Sequence, residues 1–253
     1  NDPSYDLDPK FGEDVNYRAF EPLVHMAKDA GVRRFIYASS SSVYGIKDEE
    51  QVTEDLTLEP LTDYSRFKAL CEEILNSYAD DQFVVTTIRP ATVCGYSPRQ
   101  RLDVIVNILV NHAVNRGVIR VLGGAQFRPN LHIDDMCRAY LDVLQQPAEL
   151  VQREIFNVGG INHTVTELAD IVQANIDREA VIEVEPTDDN RSYRISSERI
   201  RKKLGFQPQK SVPDAVKELV EAFTLGLLPD SLNDSRYFNI KRMGELVSDT
   251  KAP

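Results

Sequence analysis

The sequence predicts an α/β protein with a parallel sheet in its first half and a smaller α/β lobe after it. Three observations carry that expectation. Helical and strand patterns alternate between Asp14 and Pro90. Within that span two short strands, the second an apolar, β-branched run, each follow a helix, the arrangement of βαβ connections. Beyond Gly160 the pattern shifts to helices separated by short strands.

Taken in order, "DVNYRAFEPLVHMAKDAG" (14–31) sets apolar residues at helical spacing and ends in glycine, a common helix stop. "RRFIYAS" follows as a strand and runs into four consecutive serines, Ser39 to Ser42. "TDYSRFKALCEEILNSYAD" (62–80) reads as a helix with Leu70, Ile74 and Leu75 on one side and Thr62 as its N-cap. "FVVTTIRP" is a buried strand closed by Pro90. A helix over 102–116, the strand "IRVLG", the helix "DDMCRAYLDVLQQ" and the strand "EIFNVGG" come next. The second lobe is built from "TVTELADIVQANI", "AVIEVEP", "ISSERIRKKLGF" and "VPDAVKELVEAFTLGL", with "PTDDNRS" an exposed turn.

The chain has 253 residues, 42% of them hydrophobic and 27% charged, enough to bury a sizeable core in one large or two small domains. Forty acidic residues against 29 basic ones give a net charge of −11. That balance argues against nucleic acid or an anionic membrane surface as the main partner. No apolar run approaches the ~18 residues of a membrane span, and the acidic first residues are unlike a secretory signal. Cys71, Cys94 and Cys137 are odd in number and widely spaced, without a C-x-x-C pair. They read as reduced thiols packed as small hydrophobes, which points to the cytoplasm.

In an open parallel sheet, ligands bind beyond the carboxyl ends of the strands, which is where the serines fall. Taken alone, the serines could equally form a solvated turn. Tyr64 and Lys68, in "YSRFK", are four residues apart and share one helix face. A nearby ammonium favours the phenolate, a usable proton acceptor near neutral pH. Such pairs also arise by chance on amphipathic helices.

Together, the strand, the serines, "VYG" and a helix entered through "YSRFK" resemble the extended short-chain dehydrogenase/reductase superfamily. Within it they are similar to the NAD-dependent nucleotide-sugar epimerases and dehydratases, of the UDP-glucose 4-epimerase kind. "IRPATVCG" is similar to that family's arginine-containing strand and substrate loop. "VLGGAQFRPNLHIDDM" resembles its Gly-to-Arg segment and the helix entry that follows, and "DDNRSYRISSERIRKKLGFQP" its C-terminal arginine and LG(W/F)-x-P motif. The resemblance implies a Rossmann-type parallel sheet with a smaller C-terminal α/β substrate lobe. The expected division is a partial NAD-binding domain over 1–96 plus 133–160, and a nucleotide-sugar-binding lobe over 97–132 plus 161–253.

The resemblance also implies residue roles. Ser40 matches the serine that hydrogen-bonds the reacting hydroxyl, Tyr64 the general base or acid, and Lys68 the residue that holds the nicotinamide ribose and tunes the tyrosine. Ser39, Ser40, Tyr64, Lys68 and Ala91 are the expected NAD contacts, with NADP disfavoured although the discriminating segment is not among these residues. Register within the serine run is open, so Ser39 or Ser41 could share the role of Ser40. Ser41, Ser42, Thr92, Arg128 and Arg191 are the expected contacts of a nucleotide-diphosphate sugar. The two arginines suit a diphosphate because the guanidinium fork binds phosphate oxygens in pairs. Thr92 stands where many sugar epimerases have Asn. No metal is expected, and His132 and Cys94 read as structural. The resemblance further implies a homodimer through helices 14–31 and 62–80.

The reaction follows from what accompanies the shared Ser, Tyr and Lys. The family's 4,6-dehydratases carry an Asp-Glu pair just after the catalytic Ser/Thr, its decarboxylases a Glu, and its 3,5-epimerases a Cys. Here those places hold Ser41 and Ser42, hydroxyls that cannot serve as such acids or bases. The expectation is therefore C4 epimerisation through a transient keto-sugar, with a keto-sugar reductase or dehydrogenase as the alternative. The family's G-x-x-G-x-x-G fingerprint is not in the sequence; the adjacent glycines, Gly123-Gly124 and Gly159-Gly160, are not at a strand-to-helix phosphate turn. The chain is expected to be incomplete, beginning after the family's fourth strand and lacking on the order of 70 residues. A cofactor-less nucleotide-sugar-binding or dimerisation fragment is the corresponding alternative of a different class.

Overall fold

The computed structural model describes Tyr5, residues 7–188 and residues 192–249. In chain order it runs α1 (Pro9–Glu13), a π-helical turn (Asp14–Arg18), α2 (Phe20–Asp29), β1 (Arg34–Ala38), a 3-10 turn (Ser41–Tyr44), α3 (Asp63–Ser77), β2 (Val84–Pro90) and β3 (Thr92–Cys94). Then follow α4 (Ile105–Arg116), β4 (Val118–Leu122), β5 (Phe127–His132), α5 (Ile133–Gln145), α6 (Ala148–Val151), β6 (Glu154–Val158) and β7 (Asn162–Thr164). The last elements are α7 (Val165–Ala174), β8 (Val181–Glu185), α8 (Glu198–Leu204), α9 (Val212–Thr224) and α10 (Asn239–Asp249). Among the described residues no helix is long and apolar enough to cross a membrane.

The chain divides into two compact units. One comprises Asn1–Ala91, Met136–Gly159 and Tyr193–Gln207; the other comprises Thr92–Asp135, Gly160–Ser192 and Pro208–Pro253. The sequence-based division kept everything after 160 in the second lobe. Tyr193–Gln207 instead lies with the first unit, where Val52 pairs with Ile195 in a parallel bridge and the Val52 amide donates to the Arg194 carbonyl at 2.7 Å.

In the first unit β1, β2 and β6 form a parallel sheet in the order β1-β2-β6, with Ala38 opposite Ile88 and Ile88 opposite Phe156. The central strand, β2, is buried along nearly its whole length, as its β-branched run "VVTTI" requires. Helix α3 starts at a reciprocal cap: Thr62 and Ser65 each accept the other's backbone N–H. Phe20 and Val24 of α2 pack with Cys71 and Leu75 of α3 over Tyr37, Phe83 and Val85. Each fully buried Leu or Phe there contributes about 1.5–3 kcal/mol relative to exposure.

The expected single helix over 14–31 is interrupted. Asp14–Arg18 winds as a π turn, closed by the Ala19 amide on the Asp14 carbonyl at 3.0 Å, before α2 resumes. Pro22 supplies the reason: it has no N–H to return to the Arg18 carbonyl, so the regular ladder cannot pass through that position.

The second unit holds two small sheets. β3, β5 and β7 lie in the order β3-β5-β7, parallel then antiparallel, and β4 pairs parallel with β8. Its core joins Val106, Leu109 and Val110 of α4 to Leu168 and Val172 of α7 and to Val216 and Leu219 of α9. Strands β3, β5 and β7 are absent from the sequence reading. Two have three residues each, and "FRPNLH" carries neither alternation nor an apolar run.

Candidate functional site at the end of the first strand

The four serines form an ordered turn. The Ser39 amide continues the ladder onto the Ile88 carbonyl at 2.9 Å, Ser40 is extended, and the chain then coils as the 3-10 turn Ser41–Tyr44. Ser40 caps that turn, its Oγ accepting the Ser42 N–H at 3.1 Å, and the Ser40 and Ser42 hydroxyls lie 2.8 Å apart. Ser39 and Ser41 are 3% and 2% exposed, which excludes a solvated turn. Gly45 ends the segment at φ 71°, where a Cβ would meet the Glu59 carbonyl oxygen at 2.0 Å, so glycine is required.

Helix α3 carries Tyr64, Lys68 and Glu72 at a spacing of four that stacks them along one stripe, and Lys68 and Glu72 reach the strand end and the first serine. The Lys68 ammonium donates to the Ala38 carbonyl at 2.7 Å and stands 5.7 Å from the centre of the Tyr64 ring and 4.9 Å from that of Tyr37. Burial pulls the Lys68 pKa below its ordinary value. The ammonium thus bonds the strand end that leads into the serines, with the Tyr64 ring beside it on the same helix stripe.

Beneath them runs a buried polar network that sequence reasoning missed. Arg89, at the end of β2, grips Glu72 through Nε at 3.0 Å and Nη2 at 2.6 Å, with both side chains about 95% buried (4% and 5% exposed). Its Nη1 donates to the Tyr44 hydroxyl at 2.8 Å, and that hydroxyl donates to Asn157 Oδ1 at 2.8 Å. The Ser39 hydroxyl donates to the same Glu72 carboxylate. Asn157 passes the chain on, donating its amide to Glu54 Oε1 at 2.7 Å and its side-chain NH2 to the Val52 carbonyl at 3.1 Å. Burial works against the Arg89 charge, but the Glu72 bonds and charge hold its pKa above the ordinary arginine value. Burial likewise raises the Tyr44 phenol and the Glu54 carboxyl. Two signals in the sequence point to the network: Glu72 four residues beyond Lys68, and an arginine ending the apolar run "VVTTI".

Ala91 is buried just past β2 and its amide donates to the Val158 carbonyl at 2.8 Å. Thr92 and Arg128 belong to the second unit. Thr92 pairs with Asn130 across β3 and β5, and Arg128, half-buried on β5, donates to the Phe127 carbonyl at 3.2 Å. Arg191 lies outside the described residues. His132 is buried: its Nδ1 accepts the Asp134 N–H at 3.1 Å, and its Nε2 lies 2.9 Å from a Glu218 carboxylate oxygen. Lys210 bonds both Asp134 and Glu218, placing a cation where these three groups would otherwise gather a metal. Burial pushes the Cys94 thiol up to about 12, the behaviour of a packing residue.

Chemically, a phenol beside a half-buried ammonium, with a hydroxyl pair in the neighbouring turn, suits proton removal from an alcohol. The same groups fit the reacting end of a nicotinamide cofactor: Lys68 offers donors, Ser40 a hydroxyl, and Ala91 a small side chain at the carboxyl end of β2. No glycine-rich strand-to-helix turn for its diphosphate occurs in the 253 residues.

Comparison with known proteins agrees with this geometry. The profile of the NAD dependent epimerase/dehydratase family matches residues 5–159. The UDP-glucose 4-epimerase of Mycolicibacterium smegmatis is 31% identical over 225 residues, 85% of this chain and 70% of that protein. The human dTDP-D-glucose 4,6-dehydratase is 28% identical over 220 residues, 82% of this chain and 61% of that one. The crystal structure of Thermotoga maritima UDP-glucose 4-epimerase with UDP-glucose superposes with a TM-score of 0.75 at 26% identity, over 87% of this chain and 72% of that one. The chain spans about two thirds of the length of these relatives. With more than half of its residues inside that profile, the chain belongs to the NAD-dependent epimerase/dehydratase family.

Proposed function

We propose that this chain forms the reacting centre of a nucleotide-sugar 4-epimerase that works with NAD. The observation that supports the reading is the pair Ser41-Ser42 in the turn that follows the strand end held by Lys68. The relatives include both epimerases and dehydratases by name. Elimination of water from the neighbouring carbon needs an added acid and base, and a serine hydroxyl is neither. Ser, Tyr and Lys alone suffice for 4-epimerisation.

NAD, when bound, supplies the hydride chemistry. The chain's own residues do the rest. Ser40 orients the sugar 4-hydroxyl, and Tyr64 takes its proton while the Lys68 charge stabilises the phenolate. The keto-sugar then turns over so that C4 would take hydride back on its other face, and Tyr64 returns the proton to the 4-oxygen. Lys68, Tyr64, Ser40 and Ala91 hold the nicotinamide end, while the Ser39 hydroxyl is given to Glu72. Ser41, Ser42, Thr92, Arg128 and Arg191 hold the nucleotide-diphosphate sugar. The division into a cofactor domain and a sugar lobe belongs to this reading.

A homodimer through the helical segments 14–31 and 62–80 is part of the same proposal. Val15, Leu23 and Met26 support it, being 56%, 51% and 61% exposed on the first of those segments. Sedimentation at micromolar concentration tests it; a monomer would contradict it.

The test of function is incubation with UDP-, dTDP-, GDP- and CDP-sugars plus NAD, with products read by NMR. A C4 epimer without net NADH supports the reading, and stoichiometric NADH would favour a reductase or dehydrogenase instead. A second reading is a cofactor-less nucleotide-sugar-binding or dimerisation fragment. Thermal stabilisation by a nucleotide-sugar but not by NAD would support that one.

A further inference from the structure

We infer that Glu72 is a positioning residue: with Arg89 it closes a buried ring that pins both ends of the Ser39–Tyr44 turn to the helix bearing Tyr64 and Lys68. The catalytic consequence rests on the epimerase reading; the ring itself does not. Starting at the Ser39 hydroxyl, the ring passes to the Glu72 carboxylate, then through two bonds to the Arg89 guanidinium. From Arg89 it crosses to the Tyr44 hydroxyl and returns along the backbone from Tyr44 to Ser39. Every polar member is buried: Ser39, Glu72, Arg89 and Tyr44. Lys68 adds a second tie one residue upstream, on the Ala38 carbonyl. One helical stripe therefore carries Tyr64 and also fixes the two residues that lead into Ser40.

The ring separates the duties of the four serines. A hydroxyl has one proton to donate. That of Ser39 goes to a carboxylate, a charge-assisted bond stronger than a neutral one, so Ser39 is scaffolding rather than a substrate contact. Ser41 points to the Tyr193 hydroxyl at 3.4 Å. Ser40 and Ser42 share one mutual bond, which consumes one of their two protons and leaves the other for a ligand. The reacting hydroxyl is thus held by a pair, in a turn that the Glu72–Arg89 ion pair keeps in place. Glu72 does not touch the substrate; it acts through Ser39.

Ser39→Ala and Tyr44→Phe cut the ring at opposite ends without removing either charge. Hydrogen exchange of the Ser42, Val43 and Gly45 amides in the intact chain reads the turn directly. Each single cut is expected to speed exchange of these amides about tenfold, leaving those of Leu109 and Val110 in the second unit unchanged. Because either cut opens the ring, the double variant should exchange little faster than the singles. With an active nucleotide-sugar, kcat should fall about tenfold or more in each single variant while KM stays put, since a displaced Ser40 hydroxyl costs the reaction and not the binding of the nucleotide. Unchanged exchange in both singles, or a double variant whose acceleration is the product of the two, would overturn the ring. A kcat loss matched by an equal rise in KM would overturn the positioning role. If the parent epimerises none of the four nucleotide-sugar classes, the functional reading fails while the exchange data still decide the ring.

Discussion

Replacing Arg89 by methionine should be among the most damaging single changes in the first unit. Methionine fills much of the same volume, so packing survives while the guanidinium and its three hydrogen bonds do not. Glu72 is then left with 5% of its side chain exposed and the Ser39 hydroxyl as its remaining partner in the ring. Breaking a buried pair by removing one partner costs about 3–5 kcal/mol, because the surviving charge is uncompensated. For a protein of this size each kcal/mol moves the midpoint by roughly 2–4 °C, so the expected loss is roughly 6–20 °C. Adding Glu72→Leu removes the stranded carboxylate, and the double variant should recover about 2 kcal/mol or more of that loss. Urea titration of the four proteins in a double-mutant cycle measures both quantities. An Arg89→Met penalty under about 1 kcal/mol, or additive penalties in the double variant, would refute the picture of a desolvated, mutually dependent pair.

Three further outcomes follow from particular residues. Gly45→Ala should destabilise by roughly 2–4 kcal/mol in urea titration, since the new Cβ collides with backbone at a positive φ. Under native conditions at about pH 8, iodoacetamide should modify exposed Cys137 alone, because Cys71 and Cys94 are buried with raised pKa values; mass spectrometry showing a second adduct would contradict this. Glu54 holds its proton longer in the folded chain than its ordinary 4.5 allows, so stability falls as pH rises from below 4.5 through the folded value. Glu54→Gln should abolish that loss, and identical denaturation midpoints against pH in both proteins would count against it.

The sequence made the local features legible and left the long-range ones hidden. Apolar periodicity located α3 and β2, and the hydroxyl of Thr62 marked the helix start. The serine turn, Tyr64 and Lys68 stood out through the combination of strand, serines, "VYG" and "YSRFK" and the family resemblance it carries, since neither the serines nor the Tyr-Lys spacing was decisive alone. The ring of Ser39, Glu72, Arg89 and Tyr44 could not, since its bonds join residues as far as 45 positions apart. Arg89 and Glu72 each look like an ordinary charge until β2 and α3 pack together. The π turn at Asp14–Arg18 was hidden for a different reason: the apolar spacing of 14–31 runs on through Pro22, and periodicity alone does not register the missing N–H that interrupts the ladder there. β3, β5 and β7 exist only through mutual pairing, which no periodicity announces.

The most direct test of the central claim is a single NMR time course of the chain with UDP-glucose and NAD, with NADH absorbance followed in the same tube. The account predicts the C4 epimer accumulating with no net NADH, and its loss in Tyr64→Phe. A 4-keto-6-deoxy product, or NADH formed in step with sugar consumed, would contradict it.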